Sequence, residues 1–318
     1  MIGKHHVEVR NRDAVFKFDL NRNITIVRGD SGTGKTTLYE MIADYTRLKD
    51  ASGVTVSCDK SCVALTDIDW KNQLKNISDS IVFIDEGADF LKTKDFASAI
   101  KATDNYYVIF NRESLHELPY SVEEIYEIKA SGKFHSFKKM FKSNNKHFYY
   151  KDKADVKLKF DTLLTEDSNS GYEFYRYYFQ DSNIACETSA SNSAIFKWLK
   201  EHIDRKILII ADGAAFGSEI DRILKLNSVS KFRLCLPESF EWLILKSGLI
   251  KSENIEDILE NPSEYIESSE YFSWENFFEA YLIKCTVGTP FQYTKRELKP
   301  AYKNKSNANK IILEIYVK

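Results

Sequence analysis

The sequence predicts an α/β protein in which two doubly wound, mainly parallel sheets follow one another along the chain. Short apolar runs alternate with segments of helical period in both halves, and this pattern is typical of parallel sheets with helical crossovers. Polar residues directly follow several of these runs, at the edge where such sheets bind ligands. A length of 318 residues favours two domains over a single core.

The first half predicts one compact sheet preceded by a hairpin. In chain order we expect a hairpin at 5–10 and 14–20, a buried strand at 24–27, a helix at 35–47 and two short strands at 54–58 and 62–65. We then expect a helix at 69–76, a buried strand at 80–84, a helix at 96–102, a buried strand at 106–110 and a final strand at 124–129. We place this domain at residues 1–130, a basic aromatic connector at 131–157 and a second domain at 158–318.

The most specific pattern in the chain is GDSGTGKTT. Its spacing is the Walker A motif, in which glycines allow successive backbone N–H groups to point at one phosphate. The helix that follows adds its positive N-terminal end, Lys35 is expected to reach the β- and γ-phosphates of ATP, and the Thr36 hydroxyl is expected to hold Mg²⁺. The predicted phosphate-binding residues are Gly29, Asp30, Ser31, Gly32, Thr33, Gly34, Lys35, Thr36 and Thr37.

A second pattern ends the apolar run at 80–84 with two acids, Asp85 and Glu86, as in a Walker B strand. A buried strand would deliver both carboxylates to the ligand-binding edge of the sheet. We expect Asp85 to help hold Mg²⁺, and Glu86 to orient and deprotonate the attacking water. Together with the Walker A motif, this ending indicates ATP hydrolysis rather than binding alone.

The next buried run, 106–110, ends at Asn111 and Arg112. Asn111 is predicted either to sense the γ-phosphate or position the water, or simply to cap the strand. Arg112 is predicted either to stabilise charge as an arginine finger or to pair with Glu113. The order of elements in the first 130 residues resembles the AAA-type and ABC/OLD-type P-loop ATPases. The N-terminal hairpin is similar to ABC-type ATPases, and the short interval between the Walker A and Walker B motifs is similar to AAA-type ATPases. The chain has no LSGGQ-type signature.

The second half repeats the alternation, with strands expected near 163–164, 186–187, 206–211 and 232–236. Acids follow the first and third of these strands. This order resembles a TOPRIM domain, the metal-binding fold of topoisomerases, primases and OLD-family nucleases. The resemblance implies that Mg²⁺ is bound by an acid after the first strand and by an Asp-x-Asp after the third.

On that resemblance Glu166 matches the first acid, with Asp167 as the alternative, and Asp212 starts the Asp-x-Asp. Ala214 stands where its second aspartate is expected, and Glu241 is a candidate replacement. Such a site would activate water against a phosphodiester. Alternatively, these acids only cap helix N-termini, where carboxylates are stabilising.

The net charge of −2 hides two basic stretches, 129–159 and 295–310. The first contains ten lysines against two aspartates. Basic, aromatic segments are typical of nucleic-acid contacts, and a solvated hairpin between domains is the alternative. A homo-oligomer or partner protein stays open, because an arginine finger from a neighbouring subunit would require one.

Several features predict a cytoplasmic protein with no membrane partner. The five cysteines are scattered and odd in number, as in a reducing compartment. No apolar run reaches 18 residues, and residues 1–6 lack the apolar core of a signal peptide.

Three functions follow from these patterns. The leading one is an ATP-hydrolysing enzyme that acts on nucleic acid through a TOPRIM-like nuclease module, in a mobile-element or phage-defence setting. The second is an ATP-driven switch with a non-catalytic second domain, which Ala214 favours. The third is a small-molecule P-loop kinase, which the Asp85–Glu86 pair and the lack of an obvious lid disfavour.

Overall fold

The computed structural model describes residues 1–30, 32–143, 147–150 and 159–315. The chain divides into two compact units, Met1–Met140 with Asn261–Phe272, and Phe141–Glu260 with Ser273–Lys318. Each unit contains a mixed sheet with a block of parallel strands and several helices. The predicted α/β class is therefore confirmed.

The first unit contains a large sheet and three α-helices within its described residues. Its strands are β1 (His5–Arg10), β2 (Val15–Leu20), β3 (Ile24–Arg28), β4 (Thr55–Ser57), β5 (Ser61–Leu65), β6 (Ser80–Ile84), β7 (Tyr106–Phe110), β8 (Ile125–Ser131) and β9 (Phe134–Lys139). Its helices are α1 (Lys35–Leu48), α2 (Trp70–Lys75) and α3 (Lys94–Lys101). The strand order is β4-β1-β2-β9-β8-β3-β7-β6-β5.

Five neighbouring strands, from β8 to β5, run parallel. Every residue of β3, β6 and β7 is buried, as expected for parallel strands covered on both faces. Strand β7 lies between β3 and β6. The residues that follow these three strands, Gly29, Asp85 and Asn111, therefore reach the same edge of the sheet.

The stretch predicted as a connector contributes instead to both sheets. Strand β9 pairs with β8 as a hairpin and also joins β2. Its aromatic side chains pack against β2 of the first hairpin: His135 stacks on Phe16 and Phe137 on Phe18, with ring centroids 4.4 and 4.0 Å apart. This packing explains why the first unit continues to Met140. Residues 144–146 and 151–158 of the stretch lie outside the described part of the chain.

The second unit is built on a smaller sheet. Its strands are β10 (Lys142–Ser143), β11 (Phe148–Tyr150), β12 (Thr162–Thr165), β13 (Ala185–Thr188), β14 (Lys206–Ile210) and β15 (Lys231–Cys235). Its helices are α4 (Ser170–Tyr178), α5 (Asn192–Glu201), α6 (Ile220–Lys225), α7 (Phe240–Lys246), α8 (Ile255–Glu260), α9 (Trp274–Thr286), α10 (Pro300–Lys303) and α11 (Lys305–Leu313).

The strand order of this sheet is β10-β11-β15-β14-β12-β13, and the last four strands are parallel. Strands β12 and β14 are neighbours, so Glu166 and Asp212 reach the same edge. Over the described residues, no helix has both the length and the apolarity that crossing a bilayer requires.

Candidate functional site

The loop between β3 and α1 depends on glycine at both ends. Gly29 has a φ of 136° and Gly34 a φ of 98°, conformations that other residues rarely adopt. A Cβ on Gly34 would lie 3.4 Å from the rings of Phe16 and His135. The loop is therefore held against the hairpin, and it leads directly into the N-terminal end of α1. Ser31, one of the predicted phosphate ligands, lies outside the described residues.

Lys35 is turned back onto its own loop. Its side chain is 5% exposed, and its ammonium donates to the carbonyl oxygens of Gly29 and Asp30, the latter at 3.0 Å. Burial lowers the pKa of Lys35, while the Glu86 carboxylate opposes this shift. The Lys35 Nζ and Glu86 Oε2 atoms are 4.0 Å apart, so the Walker A and Walker B residues meet.

Glu86 is also held by Arg112, which follows β7. Arg112 Nη2 donates to Glu86 Oε1 at 2.9 Å and Arg112 Nε to Oε2 at 3.2 Å. This is the two-pronged geometry in which guanidinium binds a carboxylate most strongly. Glu113, the other partner considered for Arg112, pairs with Lys92 at 2.6 Å. We call Gly29–Thr37, Asp85, Glu86 and Arg112 the loop site.

Asn111 is used in the turn after β7. It is 6% exposed, and its Nδ2 donates to the Glu113 carbonyl at 2.8 Å. This contact is the strand-end cap that the sequence offered as one alternative. A catalytic role of Asn111 stays a prediction.

The remaining predicted ligands of the loop site supply hard oxygen atoms. Thr36 is exposed, and Asp85 and Glu86 are partly exposed. Mg²⁺ is commonly held by one or two protein oxygens together with substrate phosphates. A hydroxyl and a carboxylate open to solvent fit that ion, and they would hold it only alongside a phosphate chain.

In the second unit, the predicted acids line one cleft of about 40 Å³. Glu166 follows β12, Asp212 follows β14, and Glu241 lies in the first turn of α7. Tyr175 of α4 and Lys295 also line this cleft. This volume accommodates a few water-sized groups. We call these five residues the acid cleft.

The carboxyl groups of the acid cleft resist ionisation. Burial, aided by the Glu275 carboxylate, raises the pKa of Glu166 to about 8. Burial and the neighbouring Glu166 carboxylate raise the pKa of Asp212 well above its ordinary value, and burial also raises that of Glu241. The Asp212 N–H donates to Glu166 Oε2 at 3.2 Å. Beyond burial, the Glu166 carboxylate itself raises the pKa of Asp212, and neighbouring like charges of this kind favour a proton or a cation between them.

The alternative ligand, Asp167, is used differently. Its carboxylate accepts from the backbone N–H of Asn169 at 3.0 Å, so it closes the turn before α4. Glu166 makes no such local bond among the described contacts and accepts instead from Asp212. A local turn contact therefore accounts for Asp167 and not for Glu166, although Asp167 does not cap α4 itself, whose N-cap residue is Asn169. Ala214 is buried at 4% exposure and brings no acid to the cleft.

Lys295 supplies positive charge to the acid cleft. Its Nζ lies 2.8 Å from Glu275 Oε1 and 3.3 Å from Glu279 Oε2, both on α9. Burial works to lower the pKa of Lys295, but the Glu275 carboxylate outweighs it and the pKa is raised. Within the basic stretch 295–310, Lys295 is the residue that lines the cleft, while Lys303 pairs with Glu173.

Tyr175 is a site residue that the sequence did not reveal, because an aromatic residue in a helix predicts core packing. It is 2% exposed, and its hydroxyl has no hydrogen-bond partner among the described residues. A buried hydroxyl without a partner is costly, which indicates room for a water or ligand oxygen. Glu166, Asp212 and this hydroxyl fit a hydrated Mg²⁺, since that ion retains several waters.

Neither a metal-binding group of side chains, among the described residues, nor a similar known protein is found for these sites. Within the described part of the chain, no group of three or more His, Cys, Asp or Glu side chains is arranged to hold a metal ion alone. Searches against protein-family models, curated proteins and solved structures find no significant match for the chain.

Proposed function

We propose that this protein binds ATP at the loop site and hydrolyses the bond between its β- and γ-phosphates. The observation that carries this proposal is the 4.0 Å separation of Lys35 Nζ and Glu86 Oε2. A phosphate-binding cation then lies beside a carboxylate able to accept a proton from water. Positioning and electrostatic stabilisation of this kind are the main contributions that proteins make to phosphoryl transfer.

The residues divide the reaction between them. Backbone N–H groups of the loop and the first turn of α1 bind the phosphates, and Lys35 exchanges its bonds to loop carbonyls for bonds to the β- and γ-phosphates. Glu86 orients a water whose oxygen attacks the γ-phosphorus. The bond from that phosphorus to the bridging oxygen breaks, Glu86 takes the water proton, and ADP and inorganic phosphate leave. Mg²⁺ bound through Thr36 and Asp85 would neutralise phosphate charge.

Release of inorganic phosphate from ATP tests the proposal. The wild-type protein is expected to release phosphate without an acceptor, which separates hydrolysis from transfer by a small-molecule kinase. Lys35→Ala is expected to release none above background, whereas Lys75→Ala, an exposed lysine of the same unit, should match the wild type. No phosphate release and no nucleotide binding by the wild type would refute the proposal.

A second candidate function concerns the acid cleft, and it is favoured by the buried Tyr175 hydroxyl, which has no hydrogen-bond partner within the described part of the chain. We propose that Glu166 and Asp212 hold Mg²⁺ there, which would activate water against a phosphodiester of nucleic acid. Incubating plasmid DNA or RNA with the protein and Mg²⁺ or Mn²⁺ tests this, with Asp212→Asn alongside. Cleavage lost in that variant supports a nuclease. No cleavage with any nucleotide supports the alternative, an ATP-driven switch with a non-catalytic second unit.

A further inference from the structure

Arg112 stands at the point where the three strand ends of the loop site meet. It follows the middle strand β7, so it lies between the phosphate-binding loop after β3 and the acids after β6. Its guanidinium is bound by both oxygens of Glu86. Glu86 is in turn 4.0 Å from Lys35 Nζ. One carboxylate thus separates Arg112 from the lysine expected to touch the γ-phosphate.

Neither cation is arranged for a phosphate in this structure, because each is satisfied by protein oxygens. Lys35 donates to the loop carbonyls of Gly29 and Asp30, and Arg112 donates to Glu86. In this state both carboxylate oxygens of Glu86 accept hydrogen bonds from the Arg112 guanidinium. A carboxylate held in this way is poorly placed to orient a water, so the loop site is not arranged for hydrolysis in this state.

We propose that Arg112 is a γ-phosphate ligand supplied in cis, which leaves Glu86 when ATP binds. The proposal rests on the ATPase function above. A γ-phosphate presents several anionic oxygens, and the planar guanidinium fork binds phosphate as well as it binds carboxylate. The Arg112 side chain is 53% exposed, so moving it requires no repacking of a core.

The transfer would couple nucleotide binding to activation of the base. Arg112 moves from one carboxylate onto the transferring phosphoryl group and stabilises the charge that develops on it. The same movement frees both oxygens of Glu86 to orient the attacking water. Hydrolysis would then need no arginine from a neighbouring subunit, so the turnover rate per chain should not depend on protein concentration.

Comparing di- and triphosphate binding tests the proposal, because only the triphosphate carries the group that Arg112 would contact. We would measure the affinity for ADP and for a non-hydrolysable ATP analogue, together with kcat, in wild type, Arg112→Ala, Arg112→Lys and Lys92→Ala. Lys92 serves as the matched control, since it forms an exposed ion pair with Glu113 in the next turn.

In Arg112→Ala, ADP affinity should stay within about twofold of wild type, analogue affinity should fall about tenfold, and kcat should fall roughly 100-fold. Arg112→Lys should recover little, because the fork is lost. Added guanidinium ion should raise kcat of the alanine variant alone. Lys92→Ala should behave as wild type, and kcat should be constant on dilution.

Three results would overturn the assignment. These are equal losses for ADP and the analogue, unchanged or tighter analogue binding with kcat preserved, or activity that rises steeply with protein concentration. The last would place the arginine on another subunit. If the wild type binds neither nucleotide, the ATPase proposal fails as well. If it binds and hydrolyses ATP while Arg112→Ala equals it, only the Arg112 inference fails.

Discussion

The loop site and the acid cleft balance their charges in opposite ways. In the loop site Lys35, Glu86 and Arg112 face opposite charges or carbonyls: Lys35 donates to loop oxygens, and Arg112 donates to Glu86. In the acid cleft, Glu241 is buried and Glu166 and Asp212 are partly buried, and the loss of hydration raises the pKa of each. The charges of the loop site are therefore compensated without a ligand. The acid cleft carries an electrostatic cost that a cation would relieve.

The largest expected effect is loss of turnover on removing Lys35, the proposed phosphate-binding cation of the loop site. Lys35→Met should reduce ATP hydrolysis by roughly 10²- to 10³-fold and leave thermal stability close to that of wild type, because among the described residues the ammonium contacts its own loop and Glu86. Phosphate release and a thermal melt measure both quantities. A large loss of stability would show that Lys35 instead has a structural role.

The next largest expected effect is stabilisation by a metal ion bound in the acid cleft. Mn²⁺ at a hundredfold excess over its Kd should stabilise the second unit by about 2.7 kcal/mol, because it relieves repulsion among the cleft acids. Asp212→Asn should lose this gain, and Asp204→Asn, an exposed aspartate of the same unit, should keep it. Thermal melts with and without Mn²⁺ measure it. Retention of the gain in Asp212→Asn would place the ion elsewhere.

Replacing Lys295, the lysine that lines the acid cleft, should lower the free energy of unfolding more than replacing a lysine outside the cleft. Lys295→Met leaves Glu275 and Glu279 without their partner, and we expect a loss of about 1–3 kcal/mol, below the range for fully buried pairs, since the Lys295 side chain is 31% exposed. Lys303→Met, which breaks the pair with Glu173, should cost at most about 1 kcal/mol. Urea unfolding of both variants compares them, and equal losses would contradict the account.

Glu124 offers a smaller test of buried charge in the first unit. Burial raises its pKa to about 7, against the opposing Arg22 guanidinium, whose Nε lies 3.6 Å away. Between its ordinary pKa and about 7 the folded state keeps a proton that the unfolded state releases. The free energy of unfolding should therefore fall as pH rises, by at most about 1.4 kcal/mol per pH unit.

Glu124→Gln should remove that part of the pH dependence, because its amide does not titrate. Urea unfolding between pH 5 and 7, an interval inside the window set by the two pKa values, compares the variant with the wild type. An identical slope in both proteins would show that Glu124 is ionised throughout.

The two sites also differ in how far the sequence predicts them. The loop site depends on contiguous residues, Gly29–Thr37, and on acids that end an apolar run, so its spacing alone indicates the chemistry. The acid cleft draws Tyr175, Glu241 and Lys295 from separate elements. Periodicity predicts a core position for Tyr175, and only the fold shows that its hydroxyl has no partner among the described residues.

The extent of the first sheet was predicted less well. Residues Phe134–Lys139 were expected in a basic connector because of their lysines, yet they form β9. The aromatic side chains explain why this segment joins the sheet: Phe137 stacks on Phe18, while Lys139 pairs with Glu123. Charge counting does not reveal which face of a strand is buried, so composition predicted a connector here, whereas the alternative of a hairpin agrees with the antiparallel pairing of β8 and β9.

Glu86→Gln tests the central claim most directly, since it removes the proposed base while keeping the shape of the side chain. We expect the variant to bind ATP with at least wild-type affinity and to release inorganic phosphate at least about 100-fold more slowly. Phosphate release measured under saturating ATP, beside nucleotide binding, gives both quantities. Equal rates of phosphate release in the variant and the wild type would contradict the account.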